Sequence, residues 1–308
     1  MKITLPDNSS RELPEGSSGY DLAKDIGPGL AKSAVAVTID GVQKDLHDEI
    51  MTDSSVSIIT IDSDEGLEIM RHTLTAQVLA RAIKNLYPKS KLAIGPTIED
   101  GFYYDVESEE VISSDDLNKI EEEMKKIIKS KSSITKKLVS KSEAMKVFKS
   151  NKEPYKEIII NESDQDDNFQ LYYQEDEKFV DLCRGPHLPN LGFIGSFKLT
   201  KVSGAYWKGD SNNSMLTRIY GTAFNSDKDL QQHLDNLEEA LKRDHRKLGK
   251  EMDLFHFQDE APGMVFWHPY GWNIYKTLQS FIRNKLDKNG YLEINTPQVV
   301  DRKLWEAS

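Results

Sequence analysis

The stretch Ala34-Val35-Ala36-Val37-Thr38-Ile39-Asp40-Gly41 contains the clearest strand and turn of the N-terminal region. Its β-branched residues favour a strand, and Asp-Gly is a strong signal for a two-residue hairpin turn. Ser18 is placed to cap a helix that ends at Gly27. Shorter strands are predicted on both sides, at residues 1–5, 11–13 and 56–61. Residues 1–62 therefore predict a small α/β unit of the ubiquitin-like β-grasp type.

Residues 63–225 predict a second domain of the α+β class. Polar residues 63–66 form a hinge-like break, after which apolar residues recur at helical spacing up to Tyr87. We expect a hairpin over 91–106 with its turn at Gly95-Pro96, helices that begin at Asp115 and at Ser142, and strands at 134–139, 158–160, 171–173, 179–182, 197–202 and 215–220.

A long charged helix is predicted over residues 226–249 and looks like a connector. Its leucines recur on one stripe, at Leu230, Leu234, Leu237 and Leu241. In residues 250–308 a helix is expected near 271–288, and a strand over 291–294 precedes Pro297.

The composition predicts a soluble, cytoplasmic, multidomain protein without a membrane partner. The 308 residues include 40 Lys and Arg against 51 Asp and Glu, a formal net charge of −11. The mean hydropathy is −0.58, and no apolar run approaches the roughly 18 residues of a membrane span. The N-terminus lacks the basic region and apolar run of a secretory signal. The single cysteine, Cys183, is typical of a reducing compartment.

The segment with the most chemistry is Asp181-Leu182-Cys183-Arg184-Gly185-Pro186-His187. A thiol and an imidazole four residues apart can converge on one metal ion or one water, and zinc favours such ligands. The spacing alone fits equally well a small buried cysteine and a loop histidine with structural partners. His72 offers another imidazole, but the residue four positions later is Ala76, so a four-ligand zinc cluster is not predicted.

Four cations follow one face of the predicted connector helix: Arg243, Arg246, Lys247 and Lys250. Such a row suits contact with an RNA phosphate backbone. The helix dipole also favours cations near a helix C-terminus, which is the structural alternative. Neither a Walker loop nor a G-x-G-x-x-G motif occurs, so no phosphate cradle is recognised. The acidic balance argues against non-specific coating of DNA or RNA.

Several ordered segments together carry a resemblance. They include Ala93-Ile94-Gly95-Pro96, Gly101-Phe102-Tyr103-Tyr104-Asp105-Val106, Gly204-Ala205-Tyr206-Trp207-Lys208-Gly209-Asp210, Arg243-Asp244-His245-Arg246-Lys247-Leu248-Gly249 and Glu260-Ala261-Pro262-Gly263-Met264-Val265-Phe266-Trp267-His268, with 25–32, 181–189 and 216–222. Almost the whole chain resembles the N-terminal part of the bacterial threonyl-tRNA synthetases.

The resemblance implies an α+β multidomain layout. Residues 1–62 look like the TGS domain and 63–225 like the tRNA editing domain of the second-additional-domain type. Residues 226–249 look like the linker helix. Residues 250–308 look like the start of the antiparallel-sheet class II catalytic domain, truncated after motif 1, the dimer motif that ends at Pro297.

The resemblance also implies an activity. The family charges tRNA(Thr) with threonine at the expense of ATP and hydrolyses mischarged seryl-tRNA(Thr). Its partners are tRNA(Thr), threonine and ATP, the full-length enzyme is a homodimer, and no DNA is involved. Zinc and Mg-ATP serve the catalytic domain at sites beyond this chain. We therefore expect no aminoacyl adenylate from the 308-residue chain itself.

The family's editing residues transfer to Lys156, Asp181, Cys183 and His187, with His72 as a further member and Tyr104 as a pocket wall. We expect them to orient a water against the ester, with Lys156 stabilising the developing oxyanion.

This chain departs from the family at the first long helix, where two histidines four apart are usual. Gln77 takes the place of the second histidine, and His72 lies one residue too far upstream, as though one residue had been inserted. A π-bulge would absorb that residue and bring His72 and Gln77 onto one face. Gln77 is then expected to bind substrate and editing to be weakened. A water-mediated site is favoured over a zinc site, which stays an open alternative, and metal ligands are assigned to none of its residues.

Two other functions compete with this interpretation. One is a freestanding deacylase of mischarged tRNA, which has no use for residues 250–308. The other is a non-catalytic RNA-binding module, which the retained set Lys156, Cys183 and His187 disfavours. Catalytic competence distinguishes these two alternatives.

Overall fold

A computed structural model describes residues 1–174, 179–297 and 301–306. It separates the chain into two compact units, residues 1–233 and residues 234–308. Both contain helices and sheets, and the first unit contains three sheets, in agreement with the predicted α+β class. Among the described residues, no helix combines the length and the apolar character that crossing a membrane requires.

The N-terminal part of the first unit is a five-stranded mixed sheet with two helices. Its strand order is β2-β1-β5-β3-β4, in which β1 and β5 are parallel and the other pairs are antiparallel. This is the predicted β-grasp arrangement. The elements are β1 Lys2–Thr4, β2 Ser10–Glu12, α1 Gly19–Ile26, α2 Pro28–Ser33, β3 Ala34–Ile39, β4 Val42–Asp45 and β5 Ser54–Thr60.

Local sequence signals explain most of this sheet. Ser18 caps α1, because its hydroxyl accepts the Asp21 N–H while the Asp21 carboxylate accepts the Ser18 N–H. Asp40 and Gly41 have φ values of 49° and 82°, as a hairpin turn between β3 and β4 requires. Gly27 ends α1 as predicted, but a second short helix begins at once at Pro28.

A long helix with an unusual middle begins the second part of the first unit. It consists of α3 Asp64–Thr73, a π-helical segment Leu74–Leu79 and α4 Ala80–Leu86. The polar residues 63–66 are not a hinge, because Ser63 caps α3 and residues 64–66 form its first turn. The π-helical segment lies where the sequence predicted a π-bulge that accommodates one extra residue.

Two antiparallel sheets complete this unit. One has the order β12-β13-β8-β6 with β7 paired to β8, and the other has the order β11-β10-β9. The elements in chain order are β6 Lys91–Leu92, β7 Thr97–Ile98, β8 Gly101–Glu107, α5 Leu117–Lys129, β9 Ile134–Val139, α6 Lys141–Ser150, α7 Pro154–Glu162, β10 Phe169–Gln174, β11 Val180–Leu182, β12 Ser196–Tyr206 and β13 Met215–Phe224. The main core lies between the larger sheet and the helices α3, α4 and α5.

Three predictions in this part are wrong in detail. The strand over 158–160 is part of α7, because Pro154 suits a first helical turn and Ile160 packs into a cluster with Phe148. Ser140, not Ser142, caps α6, because Ser140 and Glu143 form a capping box. The hairpin before β8 turns at residues 99–100 rather than at Gly95-Pro96, because β7 pairs with β8.

The remaining elements begin with a helix that starts in the first unit and ends in the second. They are α8 Asp227–Lys242, α9 His245–Glu251, β14 Phe255–His256, β15 Phe266–Trp267, α10 Pro269–Lys288 and α11 Arg302–Glu306.

Two predictions for this region are wrong. The linker over 226–249 is not one helix, because α8 ends at Lys242 and Asp244 caps a separate α9 by accepting the Arg246 N–H. Residues 291–294 form no strand, since within residues 234–297 and 301–306 the sheet consists of β14 and β15 alone. Glu293 instead pairs with Arg283 of α10 at 2.6 Å.

Candidate functional site

The centre of the site is a cluster of one thiol and two imidazoles. His72 is near the end of α3, and Cys183 and His187 belong to the loop that follows β11. His72 Nε2 lies 2.7 Å from Cys183 Sγ, and the rings of His72 and His187 stack at 4.6 Å with an interplanar angle of 10°. The structure therefore brings these three predicted residues together.

Thr73 fixes the orientation of the His187 ring. Its Oγ1 lies 3.1 Å from His187 Nδ1 and accepts the Leu188 N–H at 3.0 Å. The other ring nitrogen, Nε2, is buried and has no hydrogen-bond partner among the described residues. Because an unpartnered buried polar atom is costly, Nε2 is available to a bound water or substrate.

All three groups are uncharged near neutral pH. Burial lowers the pKa of His72 to about 4, and burial with the neighbouring His72 lowers the pKa of His187 well below its ordinary value. Burial raises the pKa of the Cys183 thiol to about 12. The site thus offers neutral imidazoles as proton acceptors and a protonated thiol, which is a poor nucleophile.

A buried ion pair lies at the same site. Lys156 of α7 reaches Asp181 of β11 with Nζ 2.6 Å from Oδ1, and both residues are at most 3% exposed. Burial raises the pKa of the Asp181 carboxyl, although the Lys156 ammonium opposes this shift. Lys156 Nζ also lies 5.9 Å from the centroid of the Tyr104 ring. The positive charge of Lys156 also lowers the pKa of His72. The ion pair is therefore close enough to act electrostatically on the thiol–imidazole cluster.

Tyr104 and Gln77 present two further polar atoms without partners. Tyr104 Oη and Gln77 Nε2 are buried and form no hydrogen bond within the described residues. The backbone oxygen of Gln77 accepts a hydrogen bond from Gln174 Nε2 at 2.5 Å. The structure thus places Gln77 against Gln174 of β10, and no hydrogen bond joins Gln77 to His72 among the described residues.

The N-terminal sheet supplies a residue that no sequence motif indicated. Asp45, the last residue of β4, accepts the His187 N–H on Oδ1 and the Tyr172 O–H on Oδ2, both at 2.8 Å. The Tyr172 and His187 rings pack edge to face, with their centroids 4.4 Å apart. Two cavities border the cluster. One of about 170 Å³ is lined by His72 and by Gln43 of the N-terminal sheet, and one of about 320 Å³ is lined by His187 and Asp45.

The thiol and the two imidazoles of the cluster are groups that can ligate a metal ion. The potential ligand atoms of His72, Cys183 and His187 lie within 4.8 Å of one another. However, ligands of a tetrahedral zinc ion are about 3.5 Å apart, given bond lengths of about 2.0–2.3 Å. The 2.7 Å separation of His72 Nε2 and Cys183 Sγ is shorter than this ligand spacing, and the two stacked rings are parallel rather than convergent. As arranged here, the three residues do not fit a zinc ion.

The predicted RNA-contact cations lie in the second unit and are exposed. Arg243 falls between α8 and α9 and pairs with Glu239, so it does not share a helix with the other three. Arg246 pairs with Asp244 and Lys247 with Glu251, at 2.8 and 4.0 Å. Acidic neighbours therefore offset part of the positive charge. Pro297 is exposed in a segment without regular structure.

Two family models match the chain. The TGS domain matches residues 1–60, and the threonyl and alanyl tRNA synthetase second additional domain matches residues 170–220. The second match includes Asp181, Cys183 and His187 of the site.

Curated relatives match almost the whole chain. A threonine–tRNA ligase of Saccharophagus degradans is 53% identical over 306 residues, one of Legionella pneumophila 52% and one of Prochlorococcus marinus 50%. Each match covers 99% of this chain and 48% of the relative. The chain thus spans about half the length of the curated relatives it matches.

Proposed function

Because the chain is a homologue of the N-terminal portion of threonine–tRNA ligases, we propose that its second domain hydrolyses seryl-tRNA(Thr). The observation that carries this proposal is the buried, uncharged cluster of His72, Cys183 and His187 beside the Lys156–Asp181 ion pair. Neutral proton acceptors next to a buried cation suit the attack of water on an ester. We keep residues 1–62 as the TGS domain, 63–225 as the editing domain, 226–249 as the linker and 250–308 as the start of a catalytic domain.

The need for such an activity follows from the chemistry of the two amino acids. A site that binds threonine excludes serine poorly, because one missing methyl group is worth only about 1–3 kcal/mol, or roughly 10–200-fold. A second site that hydrolyses the seryl ester corrects the error. In this scheme the ATP-dependent charging of tRNA(Thr) belongs to the whole ligase, together with zinc, Mg-ATP and the homodimer, and the protein acts in the cytoplasm.

The residues act on water rather than as a covalent nucleophile. His187, held through Nδ1 by Thr73, uses its unpartnered Nε2 to hold the attacking water. The same Nε2 of the neutral His187 is the group able to accept the proton of that water and return it to the leaving ribose oxygen, while His72, bonded through Nε2 to Cys183 Sγ, stacks on the His187 ring and supports it. The ammonium of Lys156 stabilises the oxyanion that forms on the ester carbonyl, and Asp181 holds Lys156 in place.

Substrate recognition involves residues around this centre. Tyr104 Oη and Gln77 Nε2, two further buried side-chain atoms without hydrogen-bond partners among the described residues, bind the seryl-adenosine end. Arg243, Arg246, Lys247 and Lys250 contact the phosphate backbone of the tRNA. Since Gln77 cannot transfer a proton as histidine does, we expect slower hydrolysis than in a relative with a second helix histidine.

The test is hydrolysis of seryl-tRNA(Thr) and threonyl-tRNA(Thr) by the 308-residue chain. We expect selective loss of the seryl ester, abolished by Cys183→Ala and by His187→Ala. His256→Ala, which removes an exposed histidine of the second unit, is the matched control and is expected to stay active. Hydrolysis no faster than in buffer overturns the proposal and favours a non-catalytic RNA-binding module.

A further inference from the structure

We infer that Asp45, on strand β4 of the N-terminal domain, is a positioning residue of the hydrolytic site, because its carboxylate holds the His187 backbone and the Tyr172 hydroxyl. The inference rests on the proposed function and adds to it a contribution from the neighbouring domain. Asp45 itself touches none of the proposed reacting groups directly.

The first contact fixes the loop that carries the site. His187 N–H donates to Asp45 Oδ1 at 2.8 Å, across 142 residues of sequence. This is a charge-assisted hydrogen bond, and such bonds are roughly twice as strong as neutral ones. It anchors the backbone of the residue whose ring faces His72. A shift of this N–H therefore moves the His187 ring and its unpartnered Nε2 together.

The second contact fixes the turn between Cys183 and His187. Tyr172 Oη lies 2.8 Å from Asp45 Oδ2 and 2.9 Å from Gln170 Oε1, and of these two acceptors the Asp45 carboxylate is the charged one. The same Tyr172 oxygen lies against Gly185. A Cβ atom on Gly185 would lie 2.0 Å from Tyr172 Oη, and Gly185 has a φ of 62°, which favours glycine. The Tyr172 hydroxyl thus packs directly against the turn at Gly185, and Asp45 holds this hydroxyl in place.

A chain of ring and hydrogen-bond contacts connects Tyr172 to the proposed reacting groups. The Tyr172 ring packs edge to face with the His187 ring, the His187 ring stacks on that of His72, and His72 Nε2 bonds Cys183 Sγ. Hydrolysis depends on geometry at the level of about 1 Å, so support of this kind affects the chemical step rather than affinity alone.

Lys136 provides a means to separate positioning from simple docking of the two domains. Its Nζ pairs with Asp45 at 2.9 Å and with Asp48, a second acidic residue of the N-terminal domain. Asp48 therefore shares the interdomain ion pair and accepts the Asp45 N–H at 3.2 Å, but it forms no hydrogen bond with His187 or Tyr172 within the described residues. Asp48→Ala is the matched control for Asp45→Ala.

The kinetic test compares these variants of the whole chain in seryl-tRNA(Thr) hydrolysis. Removal of Asp45 leaves the His187 N–H without its partner, and we expect a loss of roughly 10–100-fold in rate, which corresponds to about 1.4–2.7 kcal/mol. For Asp45→Ala we expect this loss in kcat, with KM changed less than about threefold. Asp48→Ala is expected to stay within about threefold of the wild type. Asp45→Asn is expected to recover most of kcat, because its carbonyl still accepts the His187 N–H.

A second measurement does not depend on hydrolysis. Cys183 is the only cysteine of the chain, so its rate of alkylation by iodoacetamide reports on this loop alone. We expect alkylation several-fold faster in Asp45→Ala and unchanged in Asp48→Ala. If Asp45→Ala fails to fold, Tyr172→Phe removes only the hydroxyl and is expected to show the same selective increase.

The two proposals fail in distinguishable ways. An inactive wild-type chain overturns the hydrolytic function, and alkylation then decides the role of Asp45. Equal kcat and equal alkylation rates in Asp45→Ala and Asp48→Ala overturn the inference. It is also overturned if Asp45→Ala raises KM and leaves kcat unchanged.

Discussion

Lys156 Nζ lies 2.6 Å from Asp181 Oδ1, with 4% and 2% of the two side chains exposed. Both side chains are almost completely removed from water, so each charge is stabilised mainly by the other. Its neighbours Tyr104 and His72 are neutral, so Lys156 and Asp181 carry the charges at this site.

Loss of one partner of this pair is predicted to be strongly destabilising. Lys156→Met leaves the Asp181 carboxylate buried without a counter-charge, at a cost of about 3–5 kcal/mol in the free energy of unfolding. Lys208→Met breaks the exposed pair with Glu162 and is expected to cost less than about 1 kcal/mol. Urea denaturation followed by circular dichroism measures both. Similar values for the two variants would contradict the buried character of the Lys156–Asp181 pair.

The pKa of His72 predicts a loss of stability in acid. Folding lowers this pKa from 6.5 to about 4, so the unfolded chain binds more protons between these values. Stability from the neutral His72 is therefore complete above pH 6.5 and falls as the pH falls through 4, by roughly 3 kcal/mol in total.

The variant His72→Gln tests this prediction. Its free energy of unfolding should fall less between pH 7 and pH 4 than that of the wild type, whereas exposed His256→Gln should follow the wild type. A pH dependence unaffected by His72→Gln would show that His72 titrates normally.

Cys183 is predicted to act through its hydrogen bond and not as a nucleophile. Its raised pKa, about 12, leaves very little thiolate at neutral pH. Cys183→Ser retains a donor toward His72 Nε2 and is expected to keep hydrolysis within about tenfold of the wild type, whereas Cys183→Ala loses it. Rapid quenching with detection of a seryl-enzyme ester checks the mechanism. A covalent intermediate on Cys183 would rule out direct attack by water.

Hydrolysis is predicted to be independent of zinc. The short His72–Cys183 contact and the parallel rings of His72 and His187 do not fit a tetrahedral ion. Treatment of the 308-residue chain with EDTA, followed by metal analysis and the seryl-tRNA(Thr) assay, should leave the rate unchanged. Stoichiometric zinc that disappears in Cys183→Ala would show the opposite.

The β-grasp sheet was predictable because its signals are local. Ser18 and Asp21 cap a helix within four residues, and Asp40-Gly41 makes a hairpin within two. Residues 158–160 misled the prediction, since three isoleucines favour a strand by intrinsic propensity. The packing of Ile160 in the cluster with Phe148 selects the helix, and that contact has no local signal.

In the site, too, local features were predictable from the sequence and long-range contacts were not. The spacing of Cys183 and His187 indicated chemistry from the sequence, but their meeting with His72 joins segments 111 residues apart and followed only from resemblance. Asp45 was missed because its partners lie in another domain and no motif surrounds it. Gln77 was expected on one face with His72, and the hydrogen bonds that it accepts from Gln174 of β10 had no signal in the sequence.

The π-helical segment Leu74–Leu79 has a consequence for mutational tolerance. In an ordinary buried helix, deletion of one residue rotates everything beyond it by about 100°, which turns core side chains toward water. Here a deletion within 74–79 would convert one wide turn into a regular one and leave α3 and α4 in phase. In a scan of single-codon deletions along residues 64–86, survivors should therefore cluster at this turn.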